Sequence, residues 1–431
     1  MASTNNSSHV LDPPPLNSTQ PSYSPSTLAI HADDRLNKYT DVAPALHVST
    51  TFRYSSNPET LIPIADEDTD LDNITHVYSR LSNSNTTRFE TILSSLLGGH
   101  TLTYGSGLSA FHALLVYFRP RVIAIGESYH GCHGVIAILQ KLYGLRKVDL
   151  HDESAWDEAG LGPGDIVHVE TPVNPTGEAV NLRLFGEKAR ARGAYLTVDA
   201  TFAPPPLQEP FAFGVDVVMH SGTKYLGGHS DILCGVLAMK NREWWEGMWK
   251  ERMYLGGVMG SLEGWLGVRS LRTLELRVIA QSRNAEKLVE WLSSCLNSEC
   301  KNSEERRVVS ATVSRLQHAS LQKDDMDWIK KQMPNGFGPV FVVWMKSRDM
   351  ARRLPSKLRL FHHATSLGGV ESLIEWRKMS DPGVDDRVLR ISVGVENWED
   401  LRDDLLQSFR SLVEELGAEH GVSVLRSAVE I

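Results

Sequence analysis

The chain has 431 residues, 41% of them hydrophobic and 23% charged, which is ordinary for a globular protein of roughly two to three domains. Its 44 basic and 53 acidic residues give a formal net charge of −9, and this balance argues against binding to nucleic acid or to an anionic membrane through overall charge. Four cysteines in this length exclude a disulfide-built secreted scaffold, so we predict a protein of a reducing compartment, the cytoplasm.

The N-terminal region is unlike the rest of the chain. Residues 1–25 are dominated by Ser, Asn and Pro, contain no Lys or Arg, and lack the apolar core of a secretory signal. We therefore predict a disordered tail over 1–25, followed by an N-terminal arm over 26–75. No stretch approaches the ~20 apolar residues that span a bilayer.

Short β-rich runs alternate with helical stretches in the next part of the chain. The runs are TLTY at 101–104, RVIAIG at 121–126, DIVHVE at 165–170, AYLTVDA at 194–200 and VDVVMHS at 215–221. This alternation predicts a mostly parallel sheet with helices on both faces, in a large domain over 76–275.

The C-terminal part has a different pattern. Residues 262–296 predict one or two long helices, and strand-like runs follow at 339–345 and 389–392, before a helical tail. We therefore predict a smaller α+β domain over 276–431.

Lys224 lies just after the strand-like run 215–221, between hydroxyl residues and glycines in HSGTKYLGGHSD. A lone lysine after a strand is more often a surface charge. Here Ser221 and Thr223 could bind a phosphate while the Lys224 amine forms a Schiff base.

Two carboxylates stand at strand ends. Glu170 ends DIVHVE, and Asp199 comes near the end of AYLTVDA. Ligands of open α/β sheets bind beyond the carboxyl ends of the strands, so these side chains should converge with Lys224. A carboxylate facing a pyridinium nitrogen would keep the ring protonated, as pyridoxal-phosphate chemistry requires. Asn174 could bind a ring hydroxyl, although Asn-Pro is also turn chemistry.

Two further segments follow strands. The glycine-rich turn of GSGLSAFHALLVYF, at 105–118, opens a helix whose N–H groups could bind an anion. Tyr129 follows the strand RVIAIG and could stack on a flat ring. The neighbouring His130, Cys132 and His133 lie too close in sequence for the usual zinc spacing, so we predict no metal site.

These motifs together resemble the Cys/Met-metabolism, or transsulfuration, family of pyridoxal-phosphate-dependent enzymes, and are most like cystathionine γ-synthase. The resemblance runs from about Ser26 to about Leu401, and HSGTKYLGGHSD is close to the cofactor-lysine signature of the family. Further matching segments are VYSRLSN at 77–83, YGSGLSA at 104–110, VETPVNPTG at 169–177, VDATFAPP at 198–205 and SLGGVESLI at 366–374.

The resemblance implies a fold and a cofactor. The fold would be α/β, the pyridoxal-phosphate aminotransferase-like fold type I, with a mostly parallel seven-stranded sheet and a smaller C-terminal α+β domain. The cofactor would be pyridoxal 5′-phosphate. Lys224 and Tyr129 would be the catalytic residues. Residues expected at the cofactor are Tyr78, Arg80, Gly107, Leu108, Tyr129, Asn174, Asp199, Thr201, Ser221, Thr223 and Lys224. Those expected at the substrate are Asn174, Thr365, Ser366 and Arg390, with Arg390 taking the α-carboxylate.

The resemblance also implies an assembly. Tyr78 and Arg80 look like the phosphate contacts that the family supplies from a neighbouring subunit. We therefore expect a homodimer or homotetramer with shared active sites, acting on small amino-acid substrates.

The substrate side departs from the family pattern. After SLGGVESLIE the family usually reads His-Pro and then Met-Thr-His, whereas residues 376–381 here read Trp-Arg-Lys-Met-Ser-Asp. Thr365 stands where related γ-enzymes often carry Glu. The cofactor set therefore matches the family better than the substrate set does.

The predicted function is γ-replacement on an O-acylhomoserine, in methionine biosynthesis. The alternatives are a cystathionine β- or γ-lyase, and a specialised γ-replacement enzyme with a non-thiol nucleophile. A non-catalytic protein on the same fold would be expected to lack one of Lys224, Asp199 and Tyr129, and all three are present. A nucleotide-binding α/β protein would have no use for Lys224.

Overall fold

The computed structural model describes residues 23–37, 40–61, 63 and 76–419. All but the last three residues of the predicted tail over 1–25 lie outside the described residues. The first described helix, α1, is Pro25–His31.

A seven-stranded sheet forms the centre of the N-terminal half. Its strands are β1 His100–Tyr104, β2 Val122–Ile125, β3 Arg146–Asp149, β4 Ile166–Glu170, β5 Tyr195–Asp199, β6 Val217–Ser221 and β7 Gly235–Met239. Their order is β1-β7-β6-β5-β4-β2-β3, and only β7 runs antiparallel to its neighbours. The predicted mostly parallel seven-stranded sheet is therefore confirmed.

Helices cover both faces of this sheet. They are α2 Ser84–Leu97, α3 Gly107–Phe118, α4 His130–Tyr143, α5 Glu153–Ala159, α6 Leu182–Ala191, α7 Arg242–Leu255 and α8 Ser261–Leu271. Successive β2 side chains alternate between the faces, as the pleat requires. Ile123 joins a core with Phe111 of α3, whereas Ala124 joins the opposite core with Trp156 of α5.

A second sheet of five strands lies in the C-terminal part. Its elements are α9 Leu274–Leu296, α10 Ser303–Thr312, β8 Val313–Gln317, α11 Met326–Gln332, β9 Val340–Met345, α12 Arg348–Arg353, β10 His362–His363, β11 Leu373–Trp376, β12 Val388–Ser392 and α13 Trp398–Glu419. The strand order is β10-β11-β12-β9-β8, antiparallel except between β10 and β11. Leu292 of α9, Phe341 of β9 and Leu405 of α13 share its core. The smaller α+β unit is therefore confirmed, while the domain boundaries stay a prediction.

Short 3₁₀ turns complete the described elements, at Asp34–Leu36, Pro58–Thr60, Pro210–Phe213, Ala319–Leu321, Lys323–Asp325, Leu354–Lys357 and Arg377–Met379. No helix in the described ranges is both long and apolar enough to cross a membrane.

Candidate active site

A cavity of about 250 Å³ opens where the carboxyl ends of β4, β5 and β6 meet the first turn of α3 and the five-stranded sheet. This is the edge at which parallel α/β sheets bind ligands. Twelve of the fourteen predicted site residues line it. They are Gly107, Leu108, Tyr129, Asn174, Asp199, Thr201, Ser221, Thr223, Lys224, Thr365, Ser366 and Arg390.

Lys224 lies in the turn after β6, and its Nζ donates a hydrogen bond to Ser366 Oγ over 2.8 Å. Burial, and then the charge of Arg390, lower the pKa of Lys224 to about 8. Gly368 lets the turn after Ser366 pack directly on this lysine, because a Cβ at Gly368 would lie 2.8 Å from the Lys224 carbonyl carbon. The amine is therefore held in place, and it stays uncharged down to a lower pH than an ordinary lysine amine does.

Glu170 and Asp199 are directly paired in the register of β4 and β5. Burial, and then the neighbouring Asp199 charge, raise the pKa of Glu170. Burial also raises the pKa of Asp199, while hydrogen bonds from the Thr201 hydroxyl (2.5 Å) and amide (3.0 Å) act against that rise. Two carboxyl groups this close and this buried favour a state in which one of them is protonated.

The two oxygens of Glu170 organise the cavity wall. Oε2 accepts a hydrogen bond from the Tyr129 amide and Oε1 accepts one from the Asn174 amide, both over 2.7 Å. Both of those residues line the cavity, so Glu170 fixes the backbone of two predicted site residues.

Backbone amides and hydroxyls gather at another end of the cavity. Gly107 opens α3, and in the first turn of any helix the leading amides have no intrahelical acceptor. A Cβ at Gly107 would lie 3.2 Å from Ser221 Oγ, so glycine allows this close approach. The Thr223 hydroxyl accepts from the Cys234 amide over 2.9 Å. Amide and hydroxyl donors at a helix N-terminus suit an anion such as a phosphate.

Arg390 comes from β12 and is 5% exposed. Its Nη1 donates to Asn174 Oδ1 over 3.0 Å and its Nη2 to the Ser366 carbonyl over 2.8 Å. Nη2 also pairs with Glu375 Oε2 at 2.7 Å. Burial lowers the pKa of Arg390 to about 10, so the guanidinium is charged at neutral pH.

Tyr78 and Arg80 lie outside this cavity. The Arg80 Nη1 donates to the Met253 carbonyl over 3.0 Å, and its guanidinium carbon lies 5.5 Å from the centroid of the Tyr78 ring. Tyr78 is 43% exposed. One chain therefore brings together every predicted site residue except these two.

Several lining residues are absent from the predicted site. They are Ser106, His130, Glu170, Phe202, Met219, Leu233, Leu367, Arg377 and Ser380. Glu170 had no role in that set, but its position at a strand end predicts that it lies near Lys224, and it does line the cavity. Arg377 and Ser380 belong to the segment 376–381, and the departure of that segment from the family pattern is the signal in the sequence that points to them.

Comparisons with known proteins agree with this geometry. The model of a family described as Cys/Met metabolism PLP-dependent enzyme matches residues 26–410. Cystathionine gamma-synthase of Escherichia coli (strain K12) is 32% identical over 413 residues, which cover 90% of this chain and 98% of that protein. Cystathionine beta-lyase of Lactococcus lactis subsp. cremoris is 32% identical over 349 residues, covering 77% of this chain and 87% of the relative.

Solved structures give the same result. Cystathionine gamma synthase from Xanthomonas oryzae pv. oryzae, in complex with aminoacrylate and cysteine, superposes with a TM-score of 0.78 at 26% identity. The superposition covers 91% of this chain and 99% of that one. The predicted family and fold class are thereby confirmed. The chain belongs to the Cys/Met metabolism family of pyridoxal-phosphate-dependent transsulfuration enzymes, and it is a transferase or carbon–sulfur lyase whose cofactor is pyridoxal 5′-phosphate.

Proposed function

We propose that this enzyme catalyses γ-replacement on an O-acylhomoserine with cysteine as the thiol, the reaction of a cystathionine γ-synthase. The main observation in support is a single cavity that holds the Lys224 amine beside Ser366, with Asp199 and Arg390 in its walls. The match of SLGGVESLI to the γ-synthase branch favours replacement over elimination.

The residues of the cavity fit pyridoxal 5′-phosphate. The amides of Gly107 and Leu108 and the hydroxyls of Ser221 and Thr223 would hold its phosphate, since they supply uncharged donors at a helix N-terminus. Asp199 would pair with the ring nitrogen, and Lys224 would bind the aldehyde carbon. When bound, the cofactor supplies an electron sink for the carbanion that forms at the substrate Cα.

The protein would hold the substrate and move its protons. Arg390 would bind the α-carboxylate, because a guanidinium matches a carboxylate in charge and shape. The Lys224 Nζ would take the proton from Cα and pass it on before it takes one from Cβ. The Cγ–O bond would then break and the acyloxy group would leave as a carboxylate. The thiol sulfur would bond to Cγ with loss of its proton, and protons would return to Cβ and Cα. A lowered pKa suits this task, since the uncharged amine is the form that accepts a proton.

We propose the remaining roles by the same reasoning. The Tyr129 ring would stack on the cofactor and its hydroxyl would exchange protons, while Thr201 would support Asp199 through their 2.5 Å hydrogen bond. Asn174, Thr365 and Ser366 would contact the substrate. Tyr78 and Arg80 would reach the phosphate of a neighbouring subunit in a cytoplasmic homodimer or homotetramer.

A second candidate is cleavage of cystathionine at the β or γ carbon. It is favoured by the Lactococcus lactis relative, which is named a β-lyase and shares the same 32% identity as the Escherichia coli γ-synthase. A γ-replacement with a non-thiol nucleophile is favoured by the altered segment 376–381, which brings Arg377 and Ser380 to the cavity.

One experiment separates these reactions. Purified holoenzyme is incubated with O-acetylhomoserine, O-succinylhomoserine or cystathionine, with and without cysteine, and the products are identified by mass spectrometry. Cystathionine formed from an ester and cysteine supports the proposal. Thioether cleavage without ester consumption would refute it in favour of a lyase.

A matched pair of variants ties the reaction to the site. Lys224→Ala should lose the visible absorbance of the lysine-bound cofactor together with the activity. Lys141→Ala, at an exposed position of α4, should retain both. Borohydride should attach the cofactor to Lys224 in the unmodified enzyme, and labelling of another lysine would contradict the assignment.

A further inference from the structure

The cavity contains a second buried guanidinium, that of Arg377. This residue follows β11 at the start of a short 3₁₀ turn, and it lines the same cavity as Arg390. Its side chain is 4% exposed, so its charge is removed from water almost completely. A buried charge persists in a folded protein only where partners compensate it.

Glu375 is the partner that Arg377 and Arg390 share. Its Oε2 lies 2.8 Å from Arg377 Nη1 and 2.7 Å from Arg390 Nη2, so both guanidinium groups meet at one oxygen atom. Its Oε1 accepts a hydrogen bond from the Ser380 hydroxyl over 2.6 Å. Glu375 and Arg390 are paired in the register of β11 and β12. The carboxylate is therefore fully engaged, and it holds the two arginines side by side.

The charges of this cluster do not balance. Two guanidinium groups face one carboxylate, which leaves one positive charge in excess. The Nε of Arg377 is buried and has no hydrogen-bond partner among the described residues. Both arginines line the cavity, whereas Glu375 is not among its lining residues. The cluster thus brings one net positive charge to the wall of the cavity.

We propose that Arg377 is a second carboxylate-binding residue, which grips the substrate α-carboxylate together with Arg390. This inference rests on the proposed function, because it takes the ligand to be an α-amino acid. One carboxylate bound between the two guanidinium groups would neutralise the excess charge. A substrate with a second carboxylate at its far end would bring two negative charges to a cluster that has one excess positive charge. The charge balance therefore favours one carboxylate shared by both arginines over two separate ones.

Binding to the holoenzyme tests the proposal without turnover of an ester. L-Norleucine and n-pentylamine differ only in the carboxylate, and calorimetry gives the dissociation constant of each. Arg377→Gln should weaken norleucine binding about 10- to 100-fold, the usual effect of a lost charge-assisted hydrogen bond, and should leave pentylamine binding within about twofold. Arg377→Lys should restore part of the loss. Arg283→Gln, at an exposed position of α9, serves as the charge-matched control.

A double-variant cycle separates contact from support. If Arg377 touches the ligand, Arg377→Gln should weaken norleucine binding at least tenfold in a Glu375→Gln background as well. If Arg377 only neutralises Glu375, it should have no effect in that background, and the proposal would be wrong. L-2-Aminoadipate adds a distal carboxylate. A loss confined to this ligand would assign Arg377 to the distal end and overturn the shared grip.

Failure of the proposed function gives a different result. An enzyme that cleaves cystathionine, or that uses a non-thiol nucleophile, would still bind norleucine through its carboxylate. The norleucine-to-pentylamine ratio therefore tests Arg377 whatever products the mass spectrometer finds.

Discussion

Glu170→Gln is the substitution that should most sharply separate positioning from chemistry in this site. Glu170 contacts two backbone amides rather than a proposed reacting atom, and those amides belong to Tyr129 and Asn174. A carboxyl group can accept a hydrogen bond at each oxygen, whereas a glutamine side chain has one acceptor oxygen and one NH₂ donor. In the variant, the backbone N–H of either Tyr129 or Asn174 would therefore face the NH₂ group of the glutamine and lose its hydrogen bond.

The size of the effect follows from those two contacts. Each is 2.7 Å long and buried, and a buried amide donor left without an acceptor costs about 1–3 kcal/mol. Loss of one such bond corresponds to roughly a 5- to 100-fold change in an equilibrium constant. We expect amino-acid binding to the holoenzyme to weaken by this factor. Tyr129 and Asn174 both line the cavity, so displacement of either backbone would change the binding site.

The assay is calorimetric titration with L-norleucine, beside the control Glu187→Gln at an exposed position of α6. The apoenzyme supplies a second measurement. Glu170 has a raised pKa, so the native state holds a proton that the unfolded chain releases near the ordinary value of 4.5. Its contribution to stability is present below that value and is lost as the pH rises through the raised pKa. Glu170→Gln should therefore make the stability fall less steeply as the pH rises. Part of the fall should remain, because the pKa of Asp199 is raised as well.

Two results would refute this reasoning. Unchanged norleucine affinity in a folded variant would show that Glu170 does not position the cavity wall. An unchanged dependence of stability on pH would show that Glu170 does not carry the extra proton.

The sequence predicted the large sheet best where its strands are buried. The five runs identified from composition correspond to β1, β2, β4, β5 and β6, whose residues are almost all buried because both faces of the sheet are covered. β3 was missed, since Arg146–Asp149 is a largely exposed edge strand in which three of the four residues are charged. β7 was missed because a five-residue apolar run cannot be told from a buried helix segment by periodicity alone.

The predicted site was accurate where a role depends on local sequence. Lys224, Ser221 and Thr223 share one turn, and the first turn of α3 follows from Gly-x-Gly after a strand. Contacts between distant segments could not be predicted in this way. The Lys224 and Ser366 side chains meet although they are 142 positions apart in the chain. Arg377 and Arg390 meet at Glu375, which is paired across the strands with Arg390 but not with Arg377.

Three further predictions concern the lysine, the assembly and the specificity. Uptake of cofactor by the apoenzyme should accelerate with pH and level off near pH 8, the pKa of Lys224, and a rise that continues to pH 10 would contradict that value. Mixing Arg80→Ala chains with Lys224→Ala chains should restore partial activity, because one shared site then carries neither change; an active monomer in light scattering would exclude this. Thr365 lines the cavity with an uncharged hydroxyl, which cannot attract a distal ammonium group as a carboxylate can. Thr365→Glu should therefore shift kcat/KM toward cystathionine or cysteine by roughly 10- to 100-fold relative to O-acetylhomoserine, whereas Arg390→Ala should weaken all amino-acid substrates together. An unchanged ratio in a folded, yellow Thr365→Glu enzyme would mean that Thr365 only packs against the turn before Gly368.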